Sequence, residues 1–179
     1  ELFKTSDPSK VLNTLELNET NDWKGIFKLT TDGKLLDPSV KDYAVREVLE
    51  EQYGKDYTVA ISGDVLVNDV VTITNTRNTV SHTVTKVWKD NNNKLSLRKG
   101  IKVQLKQNGE NYGVPIELNE NNQWTYTFKD LPESLNGVKY EYSVDEVEVP
   151  EGYNHSISNE GTKTVITNTI LDPIKKDLS

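Results

Sequence analysis

The chain has 179 residues, a formal net charge of -7 and no cysteine. This length fits one large domain or two small ones. The acidic balance argues against nucleic acid as a partner, no apolar run is long enough to span a membrane, and the lack of cysteine excludes disulfides and thiolate metal sites. No phosphate loop, dinucleotide fingerprint or metal-ligand spacing is present, so we expect no cofactor and no metal.

The first part of the chain is predicted to form short strands. Thr, Val, Asn and Tyr are common, which favours strands and turns over helices. Residues 40–52 have some helix propensity, but the equivalent residues 138–147 are rich in Val and Tyr and favour a strand. The predicted strands include residues 1–4, 15–17, 23–27, 43–48 and 73–76.

The second part has the same pattern. Predicted strands cover residues 83–88, 101–105, 116–118, 124–128, 142–147 and 166–169. Residues 107–110 and 90–93 are interpreted as hairpin tips, because Asn, Asp and Gly accept turn conformations. Residues 90–94 also resemble a calcium loop, but they lack its glycine and its terminal glutamate, so a solvated turn is the better interpretation.

Three matches in the same order indicate an internal duplication. The tryptophans of residues 15–28 and 116–129 are 101 positions apart (124 - 23 = 101), the tyrosines at 43 and 142 are 99 apart, and the isoleucines at 73 and 166 are 93 apart. This period suits a small β-sandwich and is too long for a solenoid repeat.

The duplication predicts the domain organisation. We expect an all-β fold of two tandem sandwiches, covering residues 1–78 and 79–170. Residues 171–179 are interpreted as a linker or the start of a further unit. The strand at 83–88 has no counterpart in the first copy, because the equivalent positions would precede Glu1.

Three polar side chains are predicted to face the apolar core of the second copy. Side chains alternate along a strand, which places Lys86 on the same face as Val84 and Trp88. The same alternation turns Glu146 and Asn168 inward on two other strands. Such residues are usually exposed, but three of them on three strands are difficult to explain as independent accidents.

These residue types suit amide exchange. A lysine amine in an apolar core has a lowered pKa and becomes a nucleophile, and the side-chain amide of Asn168 is a suitable electrophile. A buried glutamic acid, here Glu146, can polarise the carbonyl group and transfer protons. Ammonia would leave and a Lys86–Asn168 isopeptide bond would remain. The reaction would occur once per molecule, so we expect no enzymatic turnover.

Four motifs in order resemble the B-type repeat of Gram-positive collagen adhesins, the CnaB domain. They are Val84-Thr-Lys-Val-Trp-Lys-Asp90, Tyr142-x-Val-x-Glu146, Pro150-Glu-Gly-Tyr153 and Ile166-Thr-Asn-Thr169. The resemblance implies an Ig-like sandwich carrying an isopeptide bond, with Lys86 as nucleophile, Asn168 as electrophile and Glu146 as catalytic acid.

The resemblance extends more loosely to the first copy. Glu47 and Asn75 occupy the positions of the acid and the electrophile, but no lysine in this sequence takes the nucleophile's place. We therefore expect Asn75 to be an unpaired acceptor. The lysine strand would have to come from outside this sequence or from another chain.

The resemblance also implies a role and a location. We expect a structural stalk module of a surface adhesin or pilin, extracellular and anchored to the wall of a Gram-positive bacterium. Its partners would be neighbouring repeats of the same protein. The alternative is a ligand-binding module that recognises a host protein.

Overall fold

The computed structural model of the chain describes residues 1–63 and 70–171. The chain forms two compact units, Glu1–Arg77 and Asn78–Ser179. The linker predicted at residues 171–179 lies, except for Leu171, outside the described residues. The prediction of an all-β protein is confirmed: across the described ranges, α1 (Glu51–Gly54) is the single α-helix and has four residues.

The first unit contains two small sheets. Its strands are β1 (Leu2–Lys4), β2 (Asp7–Asn13), β3 (Tyr43–Val45), β4 (Tyr57–Ser62) and β5 (Thr72–Arg77). β1 lies between β2 and β3, and β4 pairs with β5 in a separate antiparallel sheet. Of the hydrophobic residues described in this unit, only Leu2 is buried. The first unit therefore has little core of its own.

Two strands predicted in the first unit, at residues 15–17 and 23–27, do not form. The equivalent residues of the second unit do form strands, where each has a neighbouring strand to pair with. Backbone N–H and C=O groups need such partners for an extended segment to become a strand. Within the described residues, neither segment of the first unit has one.

The second unit is a two-sheet sandwich. Its strands are β6 (Thr79–Lys89), β7 (Ile101–Gln107), β8 (Glu110–Asn111), β9 (Ile116–Leu118), β10 (Thr125–Pro132), β11 (Ser134–Leu135), β12 (Val138–Lys139), β13 (Tyr142–Glu146), β14 (Tyr153–Glu160) and β15 (Lys163–Ile170). One sheet has the order β10-β6-β15-β14. The other has the order β13-β7-β8, with β9 also paired to β7, and β11 and β12 form a separate two-stranded ribbon.

The core of the second unit lies between these sheets. The buried apolar side chains of both sheets form one cluster: Val84, Ile101, Val103, Leu105, Leu118, Leu131, Val144 and Ile166. Within β6, Val84 and Lys86 are buried, whereas Val87 is exposed. The strand period of two therefore brings a lysine into the core.

A turn is repeated in both units with nearly the same backbone. The 3₁₀ helices Glu19–Asn21 and Glu120–Asn122 each follow an asparagine that closes a capping box. The tryptophan that follows each turn, Trp23 or Trp124, has a left-handed φ, of 57° and 61° respectively. The spacing of 101 residues between the two sequence copies is thus reproduced in the local structure.

One of the two predicted hairpin tips is wrong. Residues 107–110 do connect the antiparallel strands β7 and β8. Residues 90–93 do not connect paired strands, because β6 and β7 belong to different sheets. The segment after β6 is therefore a crossover between the two sheets.

No helix in the described part of the chain is long and apolar enough to cross a membrane.

Candidate functional site: a buried lysine, glutamate and asparagine

The second unit brings Lys86 and Glu146 together from opposite sheets. Lys86 projects inward from β6 and Glu146 from the end of β13. The Lys86 Nζ atom lies 3.3 Å from Oε1 of Glu146 and 3.2 Å from Oε2. Both side chains have an exposed fraction of 0%. An ion pair this deeply buried loses its hydration, so its partners must satisfy each other.

Asn168 completes the group from β15, which runs parallel to β6. Ile166 is paired with Lys86 and Asn168 with Trp88 in this register. The Asn168 Nδ2 atom donates a hydrogen bond to Glu146 Oε1 over 3.0 Å. Glu146 thus bridges the lysine amine and the asparagine amide. The first and last strands of the sandwich are adjacent, which brings residues 82 positions apart (168 - 86 = 82) to one carboxyl group.

The orientation of the amide differs from our expectation. We expected the acid to lie against the carbonyl oxygen of Asn168. The nitrogen Nδ2 contacts Glu146 instead, and the carbonyl oxygen Oδ1 is buried without a hydrogen-bond partner. Glu146 is therefore placed to act on the nitrogen that would leave as ammonia.

The environment favours the neutral form of the lysine amine. Burial lowers the pKa of Lys86 from its ordinary 10.5, and the attraction and hydrogen bond of Glu146 only partly oppose this effect. A cation removed from water is destabilised, so the amine gives up its proton more readily. The Glu146 carboxylate, 3.2 Å away, is the nearest acceptor for that proton.

An aromatic ring lies beside the amine, and two further rings pack against it. The Lys86 Nζ atom lies 4.8 Å from the centre of the Trp88 ring. Trp124 and Tyr153 contact that ring edge to face, with ring centres 5.2 and 5.0 Å away. The amine and the acid are therefore out of contact with solvent, next to a packed group of three aromatic rings.

Sequence reasoning missed the cluster that supports these rings. Asp90 is 1% exposed and accepts two hydrogen bonds from the Arg98 guanidinium, of 2.6 and 3.0 Å. The hydroxyl of Tyr153 donates to Asp90 over 3.1 Å, and Arg98 lies over the Trp88 ring at 5.6 Å. The interpretation of residues 90–94 as a solvated turn is therefore wrong for Asp90. The only signal for this cluster in the sequence was the aspartate, Asp90, that directly follows β6.

The first unit contains part of the same arrangement. The Asn75 Nδ2 atom donates to Glu47 Oε1 over 2.8 Å, as Asn168 does to Glu146. Val59 is paired with Asn75 and Ile61 with Ile73. The second unit has the same register, with His155 paired with Asn168 and Ile157 with Ile166. Glu47 Oε2 is buried without a hydrogen-bond partner. Asn75 is exposed.

The described residues hold no obvious metal site. In residues 1–63 and 70–171, no group of three or more His, Asp or Glu side chains could hold a metal ion. His82 is buried, with its Nε2 atom 2.7 Å from the hydroxyl of Thr164. Burial lowers the pKa of His82 below its ordinary 6.5.

The fold and site place the chain among Ig-like β-sandwich proteins, and comparisons with known proteins give the family. Residues 82–169 match the model of the Cna protein B-type domain. Over 165 residues, the chain is 35% identical to the collagen adhesin of Staphylococcus aureus. The matched residues make up 92% of this chain and 13% of that protein. The chain thus spans about an eighth of that relative's length.

Two solved structures are also similar. A single B repeat unit (B1) of the collagen-binding surface protein of S. aureus has 33% identity and a TM-score of 0.51, covering 88% of this chain and 80% of that one. The structure of two such units (B1B2) has the same identity and TM-score, and the match covers 89% and 40%. The chain belongs to the Cna B-type domain family.

Proposed function

We propose that the second unit forms an isopeptide bond between Lys86 and Asn168 with the help of Glu146. The observation that carries this proposal is the contact of one buried carboxyl group with both reactants, at 3.2 and 3.0 Å. Folding fixes amine, acid and amide in one place, so the reaction needs no diffusional encounter.

The reaction balances within these three side chains. The Lys86 ammonium gives a proton to Glu146, and the neutral Nζ attacks Cγ of Asn168. Glu146 passes this proton to Nδ2 as the bond between Cγ and Nδ2 breaks, and it then takes up the second proton that Nζ loses. Ammonia leaves, the new bond joins Nζ to Cγ, and Glu146 is left protonated. The process is a single turnover on the chain itself and not enzymatic catalysis.

The bond would serve a mechanical purpose. It would join β6 to β15, the first and last strands of the sandwich, which form a parallel pair. A pull on the two ends of the unit would then load a covalent bond instead of a ladder of hydrogen bonds. We therefore assign the chain to the stalk of an extracellular adhesin anchored to a Gram-positive cell wall, with neighbouring repeats as its partners.

Intact mass spectrometry tests the bond. The purified chain should be lighter than its sequence by one ammonia, and Lys86→Arg and Glu146→Ala should restore the full mass. A wild-type chain of full mass would refute the proposal, and a mass deficit in Glu146→Ala would refute the role of Glu146. Asp145→Asn provides a control, because it changes the neighbouring carboxylate on β13, which is 44% exposed and paired with Lys106.

A second function is favoured by the first unit: capture of a strand that carries a lysine. The edge of β5 opposite β4 has no strand partner among the described residues, whereas its counterpart β15 pairs there with β6. In the second unit, β6 is held on its other edge as well, where the backbone N–H of Lys86 donates a hydrogen bond to the carbonyl of Trp124 over 2.7 Å. A parallel strand placed beside β5 in the register of β6 would bring its lysine opposite Ile73, near the free oxygen of Glu47.

A peptide tests this function. A peptide with the sequence of residues 80–90 is mixed with the whole chain, and adducts are measured by mass. We expect an adduct that has lost one ammonia and in which the peptide is attached to Asn75. No adduct should form when the lysine at position 86 of the peptide is changed to arginine, or when the chain carries Asn75→Ala. An adduct that persists in Asn75→Ala would contradict the assignment of this site.

The alternative prediction, recognition of a host protein, concerns a different property. The S. aureus relative is named a collagen adhesin, but this chain matches only a small part of it. Saturable binding of the purified chain to immobilised collagen would favour the alternative.

A further inference from the structure

Two complementary polar atoms in the second unit are buried without partners. Among the residues described, the buried side-chain nitrogen and oxygen atoms that lack a hydrogen bond are Glu47 Oε2, Trp88 Nε1 and Asn168 Oδ1. Trp88 Nε1 is a donor and Asn168 Oδ1 is an acceptor. Because buried unpaired polar groups are costly and uncommon in folded proteins, a donor and an acceptor left open in one core require an explanation.

The fold places these two groups in the reaction site. Trp88 and Asn168 are paired positions on the adjacent parallel strands β6 and β15, so their side chains project from the same face of the sheet. The Trp88 ring centre is 4.8 Å from Lys86 Nζ, the proposed nucleophile. Glu146 Oε1 lies 3.3 Å from that nitrogen and 3.0 Å from Asn168 Nδ2.

The proposed reaction creates a need for a donor at this position. When Nζ bonds to Cγ of Asn168, the π electron pair of the carbonyl moves to Oδ1, which becomes an oxyanion. The pair returns to the carbonyl when the bond from Cγ to Nδ2 breaks and ammonia leaves. Glu146 is already engaged with Nδ2. The oxygen therefore needs a second group.

We propose that the indole N–H of Trp88 donates a hydrogen bond to Asn168 Oδ1 as negative charge develops there. This inference rests on the proposed isopeptide reaction and assigns an oxyanion donor to it. A donor that is open before the reaction and bonded during it stabilises the transition state more than the ground state, which is the condition for acceleration.

The surroundings hold the indole ring in place. Trp124 and Tyr153 pack against it edge to face. Asp90 accepts hydrogen bonds from the hydroxyl of Tyr153 and from the guanidinium of Arg98. Arg98 in turn lies over the Trp88 ring. A donor fixed in advance needs little reorganisation when the charge appears, and for this reason preorganised donors are effective in dry sites.

Single-atom replacement tests the proposal. Chain kept unfolded in denaturant from synthesis onward is diluted into folding buffer, and the loss of ammonia is followed by intact mass. Two changes remove the N–H and keep an aromatic ring: Trp88→Phe, and replacement of Trp88 by 3-benzothienylalanine, in which sulfur replaces the N–H. The matched control is Trp23→Phe, which makes the same change at a tryptophan of the first unit that is 64% exposed.

The expected results separate the N–H from the packing. Both changes at Trp88 should slow bond formation by roughly 10²- to 10³-fold, the usual loss for one oxyanion donor. The pH dependence of the rate should keep its midpoint, and Trp23→Phe should react at close to the wild-type rate.

Each other outcome has a defined meaning. If the 3-benzothienylalanine chain reacts as fast as the wild type, the proposed donor role is wrong. The same conclusion follows if Trp23→Phe is as slow as Trp88→Phe. If Trp88→Phe does not fold, as judged by circular dichroism, the sulfur replacement decides alone. A wild-type chain that never loses ammonia would overturn the isopeptide reaction itself.

Discussion

Removal of the crosslink without leaving a buried charge should strongly destabilise the second unit. The double variant Lys86→Met/Glu146→Gln eliminates the amine and the carboxyl group and puts neutral side chains of similar size in their place. The new glutamine can still accept from Asn168 Nδ2, as Glu146 Oε1 does. Neutral replacement of a buried ion pair is often tolerated, so the loss in stability should report mainly the missing bond.

The spacing of the joined residues sets the size of the effect. Lys86 and Asn168 are 82 positions apart (168 - 86 = 82). A crosslink that closes a loop of this length lowers the entropy of the unfolded chain by an amount that corresponds to about 4.5 kcal/mol at room temperature. For a unit of this size, that free energy corresponds to roughly 20–35 °C in melting temperature.

Urea and thermal unfolding of the whole chain, followed by tryptophan fluorescence, measure this difference. The control is Lys106→Met/Asp145→Asn, which removes an ion pair whose side chains are 29% and 44% exposed. An exposed pair contributes at most about 1 kcal/mol. If the core variant unfolds at the same urea concentration and temperature as the wild type, the crosslink reasoning is refuted.

Three further predictions concern ionisable groups. Because burial lowers the pKa of Lys86, the rate of bond formation should rise with pH and level off below 10.5; a rate that still rises above 10.5 would contradict this. Asp90→Asn breaks the charged hydrogen bonds to Arg98 and should cost about 1.5–3 kcal/mol in urea unfolding, so an unchanged midpoint would count against the cluster. Because the pKa of His82 is lowered in the folded chain, the unfolded chain takes up a proton at a higher pH than the folded chain does. The contribution of His82 to stability should therefore be complete above pH 6.5 and decrease as the pH falls below that value. His82→Gln should reduce this pH dependence, and the same acid sensitivity in the variant would exclude His82 as its source.

The strand period made much of the site predictable. Alternation along residues 83–88 and two other strands placed Lys86, Glu146 and Asn168 on the core side, and the structure brings these three side chains together. The side-chain amide was harder to predict, because a sequence does not determine whether Nδ2 or Oδ1 faces the acid.

Features that depend on non-local partners could not be predicted. The bidentate pair of Asp90 and Arg98 depends on the path of a crossover loop with three successive left-handed residues, 91–93. Residues 15–17 and 23–27 have strand-like sequences, yet they form no strand where no neighbour supplies the hydrogen bonds. Local pattern predicts which face a residue takes, but pairing decides whether the strand exists.

Sequencing of the crosslinked peptide tests the central claim most directly. The purified chain is digested with a protease, and the branched fragments are identified by tandem mass spectrometry. The proposed function predicts one fragment in which a peptide containing Lys86 is joined to a peptide containing Asn168, with the loss of one ammonia. Recovery of both peptides as separate linear fragments with unmodified Lys86 and Asn168 would contradict it.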